Sequence, residues 1–114
     1  MGNLFAGIPD ELGEELIEVL ADSPGARVER IVSRGHRSAD GFWYKQDRDE
    51  FVLVMEGSAE LEIEGEPSPR GLERGDWLVL PAGQRHRISR TAPGQDTVWV
   101  AVFMAPKHCH AEGG

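Results

Sequence analysis

From Ala26 onward the chain is a series of short apolar runs broken by turn residues, and these runs predict strands. Ala26 to Ser33 reads as the first, Phe42 to Lys45 as the second and Glu50 to Met55 as the third. Ser58 to Glu64 alternates cleanly, Leu61 and Ile63 on one side and Glu60, Glu62 and Glu64 on the other, the period of a half-buried strand. Trp77 to Leu80, His86 to Thr91 and Thr97 to Met104 complete the set. Many short strands with Gly and Pro between them predict an all-β sandwich or barrel.

The N-terminal stretch follows another rhythm. Leu12, Leu16, Val19 and Leu20 recur at the spacing of one helix face, with Pro9, Asp10 and Glu11 suited to a helix start and Ser23-Pro24-Gly25 to its end. This predicts a short helix over about residues 9 to 22, packed outside a sheet. The expected organisation is an N-terminal helical segment at 1–25, one β-domain at 26–104 and a loose tail at 105–114. Two strands are apolar on both faces. Phe51, Leu53 and Met55 oppose Val52 and Val54, and Val98, Val100, Val102 and Met104 oppose Trp99, Ala101 and Phe103. Such strands need cover on both sides, which predicts a homodimer; the plainer alternative is a monomer with its tail folded over.

Composition narrows the partners. Twelve basic against twenty acidic residues give a formal charge of −8, which repels phosphate backbones and argues against nucleic acid. No apolar run has the length of a membrane span. Met1 to Pro9 has neither the basic start nor the apolar core of a signal peptide, and the single Cys109 makes no internal disulfide. A cytoplasmic protein acting on a small molecule is the expectation.

The candidate chemistry begins at the corner after Trp77 to Leu80. Gly75-Asp76 and Pro81-Ala82-Gly83 are turns, and on the strand that follows, side chains alternate between faces. His86 shares a face with Ile88, while Arg85, Arg87 and Ser89 share the other. Two arginines belong in water, so His86 turns inward, where it needs a partner. A metal ion is one candidate. Gly75, Pro81, Gly83 and His86, spaced as Gly, five residues, Pro, one, Gly, two, His, resemble the second signature motif of the cupin family.

The first motif of that family is only partly present. Glu50 and Gly57 fit, six residues apart, and Gly41 fits roughly as the opening glycine. Tyr44 and Gln46 stand where the two histidines would be, and Arg90 replaces the Asn that ends the second motif. The resemblance covers roughly Arg27 to Phe103. It implies a small antiparallel jelly-roll barrel, commonly dimeric, in which Tyr44, Gln46, Glu50 and His86 converge. A carboxylate, an imidazole, an amide oxygen and a phenol could hold a divalent Fe, Mn, Ni or Zn ion. They could equally satisfy one another as a hydrogen-bonded cluster without metal. Arg90, inward by parity if its strand stays regular, and His36, in a glycine-flanked loop, are possible substrate contacts; His108-Cys109-His110 has ligand types at a loose end. The resemblance thus implies a metal-dependent oxygenase, isomerase or lyase. The alternative is a non-catalytic barrel that binds or senses a small ligand.

Overall fold

The computed structural model describes residues 1–105, so His108-Cys109-His110 and nearly all of the expected tail lie outside the described residues. It contains eight strands: β1 (Leu16–Ser23), β2 (Ala26–Ser33), β3 (Asp49–Glu56), β4 (Ser58–Ile63), β5 (Arg70–Glu73), β6 (Trp77–Leu80), β7 (His86–Thr91) and β8 (Thr97–Met104). They form two antiparallel sheets, one of five strands in the order β1-β2-β8-β3-β6 and one of three in the order β5-β4-β7. The architecture is the all-β jelly roll that the strand rhythm and the resemblance imply.

The sheets face each other across a core of Val52, Val54, Ala59, Leu61, Leu72, Leu78, Leu80 and Trp99, all nearly inaccessible. Each such side chain, fully buried, contributes roughly 1.5–3 kcal/mol. One inner face therefore holds the barrel together, and the chemistry is confined to the end where polar side chains enter it.

The expected N-terminal helix is absent. Residues 16–23 are strand β1, paired with β2 along its length, and no helix occurs among the described residues. The register skips Leu20, between Val19 opposite Glu29 and Ala21 opposite Val28. That bulge breaks the two-residue period, so apolar positions on either side of it fall at helix-like spacings. Ile17 and Val19 are β-branched and Gly13 weakens a helix, so the sheet's open edge wins. The outer face near β1 is covered instead by the N-terminal loop: buried Arg30 donates to the carbonyls of Leu4 at 3.0 Å and Ala6 at 2.6 Å and pairs with Glu18.

The second expected strand also shrinks. Of Phe42 to Lys45, only Tyr44 enters the sheet, as an isolated bridge to His86. Trp43 faces outward instead, 5.8 Å from the guanidinium groups of both Arg85 and Arg87. Arg85 is exposed as expected, but the Arg87 side chain is only 16% exposed, with Glu62 3.3 Å away.

Candidate functional site

Backbone bonds stitch the two motif segments together. Tyr44 N donates to His86 O at 2.7 Å, His86 N to Tyr44 O at 3.0 Å, and Gly83 N to Gln46 O at 2.7 Å. Ala82 N donates to Asp49 Oδ1 at 2.8 Å. The turn before β7 is thus anchored to the segment entering β3. Tyr44 and Gln46, two residues apart, then point the same way as Glu50 and His86.

All four line one cavity of about 200 Å³ between the sheets, walled by apolar side chains that include Ile31, Val52, Leu61, Trp99 and Phe103. Glu50 is the second residue of β3 and His86 the first of β7, with side chains only 9% and 7% exposed. His86 Nε2 lies 3.6 Å from Glu50 Oε1. On the other side of the ring, His86 Nδ1 is 3.2 Å from the carbonyl of Gln84, which can only accept, so Nδ1 carries the proton. In the neutral ring Nε2 is then a bare acceptor facing a carboxylate oxygen. Glu50 Oε1 and Gln46 Oε1 are both buried without a hydrogen-bond donor. Two acceptors thus stand 3.6 Å apart on His86 and Glu50, and Gln46 adds a third unpartnered oxygen to the lining of the same cavity, an arrangement that calls for a proton or a cation.

The electrostatics agree. Burial pushes the Glu50 carboxyl up to about 7; Glu29 and Glu15 add to the rise and the Gln46 side chain opposes it. Burial lowers the pKa of His86, against the Gln84 carbonyl. Tyr44, stacked on His86 with ring centroids 5.5 Å apart, has its pKa raised by burial and by the charges of Glu15 and Glu50. It stays a neutral phenol. The donor set fits a divalent ion through His86 Nε2, Glu50 Oε1 and Gln46 Oε1, with Tyr44 alongside as a hydrogen-bond donor. It is a lean set: the described residues contain no group of three His, Cys, Asp or Glu placed to hold a metal.

Two expected substrate contacts sit elsewhere. Arg90 is exposed on the outer side of β7, opposite Glu60, because the register skips Ser89 between Arg90 and Ile88. The bulge reverses the parity that would have turned Arg90 inward. His36 lies outside the cavity, in a neighbouring groove with Glu15 and Tyr44, and its Nδ1 accepts from Arg34 N at 2.9 Å. Two wall residues were missed by sequence reasoning, Glu15 and Glu29. Glu15 fell within the expected helix. Glu29 has the parity of Ile31, a signal that alternation alone cannot separate from an outward charge.

A family model described as Cupin domain matches residues 32–103. A candidate mannose-6-phosphate isomerase of Ralstonia eutropha JMP134 is 45% identical, with TM-score 0.89 over 92% of this chain and 97% of that one. A protein with a double-stranded β-helix domain from Klebsiella pneumoniae subsp. pneumoniae MGH 78578 superposes with TM-score 0.74 at 18% identity, covering 94% and 90% of the two chains. KdgF from Halomonas sp. does so with TM-score 0.67 at 23% identity, covering 90% of each. These last two show the fold alone. No curated protein matches the chain.

Proposed function

The chain belongs to the cupin family, and we propose that it is a metal-dependent enzyme acting on a small molecule inside its barrel. Glu50, His86 and Gln46 hold the ion. The observation that carries this reading is the approach of His86 Nε2 to the unpartnered Glu50 Oε1, with the unpartnered Gln46 Oε1 lining the same cavity. A bound divalent ion supplies Lewis-acid polarisation of a ligand oxygen. Glu50, whose carboxyl is raised to about 7 without metal, gives up its proton to hold the ion, and His86 is fixed in one tautomer by Gln84. Polarisation of a ligand oxygen suits an isomerase or lyase, and the Ralstonia protein bears an isomerase name. A cytoplasmic setting suits a chain with a single cysteine.

Elemental analysis of untagged protein tests the metal. Wild type is expected to carry stoichiometric Mn, Fe, Ni or Zn, and His86→Ala to carry none. Glu50→Gln should weaken binding more than Gln46→Ala, because it removes the anionic ligand. The lean donor set favours a second reading, a barrel that binds its ligand without catalysis. A wild-type protein that carries no metal, and whose melting point ignores these ions and chelator alike, would establish that reading in place of the first.

The same proposal includes a homodimer. The outer face of the five-stranded sheet aligns Phe51 with Val79 and Val102, and Leu53 with Trp77 and Val100. Trp77 is 61% and Val79 47% exposed, with Trp77 stacked on Phe51 at 5.6 Å. With a net charge of −8 on each chain, an uncharged face of this kind is where two copies can meet without repulsion. Sedimentation equilibrium should give twice the chain mass for wild type and the single mass for Trp77→Glu. Monomeric wild type at micromolar concentration would remove the dimer.

A further inference from the structure

We propose that the cavity selects a small molecule carrying a positive charge, such as an amine, which binds against Glu15. The inference rests on the reading of this cavity as the ligand site, and it adds the ligand's charge class. Among the described residues the charged side chains lining the cavity are Glu15, Glu29 and Glu50, with no Lys or Arg beside them. Away from the metal pole, a phosphorylated or carboxylated ligand would meet acidic walls.

Glu15 is held in place by a buried relay. Trp99 Nε1 donates to Ser33 Oγ at 3.3 Å, and Ser33 Oγ donates to Glu15 Oε2 at 3.0 Å. Ser33 and Trp99 are almost wholly inaccessible, so the carboxylate is fixed from the core side. Glu50, nine-tenths buried, adds an unpartnered oxygen to the same space. Tyr44, Trp99 and Phe103 also line the cavity, aromatic side chains of the kind that attract a cation. Two basic groups act from outside. Arg27 Nη1 is 3.9 Å from Glu29, which it partly neutralises, and His36 approaches Glu15 from the neighbouring groove. Glu15 is therefore the carboxylate most available to an incoming cation, and the metal pole at Glu50 and His86 is left for an oxygen of the same ligand.

Three probes of one shape separate charge from size: butylammonium, butanol and butyrate, titrated into the full chain while the Trp99 indole N–H resonance is followed. With chelator present, butylammonium should bind at least about tenfold more tightly than butyrate. Glu15→Gln should weaken butylammonium by roughly tenfold, the worth of one charge-assisted contact, and leave butanol unchanged. Glu14→Gln, an exposed carboxylate outside the cavity, should change neither, which separates the site from the chain's overall charge. Glu29→Gln carries the same comparison, with a smaller loss, should Glu15→Gln fail to fold. Equal affinity for butyrate, an unchanged Glu15→Gln variant, or no response of Trp99 to any probe overturns the inference. The amine preference without metal uptake removes the metal reading alone, and metal uptake without the preference removes this inference alone.

Discussion

Gly57→Ala is expected to destabilise the protein by about 4 kcal/mol, a large share of a small domain's stability. Gly57 closes the first motif, between β3 and β4, with φ at +85°. A Cβ there would lie 2.5 Å from Thr97 Oγ1, 2.7 Å from Thr97 Cα and 2.8 Å from Asp96 O. Two of these atoms are backbone and cannot rotate away. Thr97 is fully buried, and its hydroxyl donates to Ser58 O at 3.1 Å, so moving it would break that bond too. A left-handed conformation costs an alanine roughly 1–2 kcal/mol, and overpacking against fixed atoms adds about 1–3 more. Gly83→Ala is the control: its φ is +84°, but its added Cβ meets nothing within 4 Å. Urea denaturation should show a loss at Gly83 of only the conformational part. Equal losses at the two glycines would mean that contact with Thr97 is not what requires glycine at position 57.

The two positions show what the sequence makes legible. A motif spacing marks Gly57 and Gly83 alike, but only packing separates the glycine needed for its φ from the one that also leaves room for a neighbour. Tyr44, Gln46, Glu50 and His86, which the resemblance brings together, all line the cavity, and parity turned His86 inward correctly. It failed wherever the register skips a residue. The bulge at Leu20 made a strand look helical, and the bulge at Ser89 turned Arg90 outward. Neither bulge has a Gly or Pro to announce it. Glu15 was hidden for a related reason: its position depends on Ser33 and Trp99, which are distant in sequence and meet it only through the pairing of β1, β2 and β8.

Glu50→Gln should stabilise the metal-free protein at alkaline pH and destabilise the metal-loaded one. In the folded state the carboxyl is raised from 4.5 to about 7, chiefly by burial. Between those values the folded protein binds more protons than the unfolded chain, so stability falls as pH rises, and the loss is complete above about pH 7. The full difference is on the order of 3 kcal/mol. Glutamine carries no charge to desolvate, and the amide it introduces can donate towards Gln46 Oε1 and His86 Nε2. With chelator at pH 8, the variant should therefore exceed wild type by up to about 3 kcal/mol, and the two should converge near pH 4. His86 contributes the opposite slope in both proteins: its pKa is lowered, so folding gains as pH rises towards 6.5. Glu15, also raised, keeps a smaller falling slope in the variant. Added metal reverses the order. The ionised carboxylate then has a partner, and an ion at a thousand times its dissociation constant stabilises wild type by about 4.1 kcal/mol, nearly all of which the variant forgoes. Melting curves from pH 4 to 8, with chelator and with Zn, read both signs in one experiment. A variant less stable than wild type in chelator at pH 8 would mean that Glu50 is satisfied as an ion without metal. A variant that stays more stable when metal is added would mean that no cation is held there.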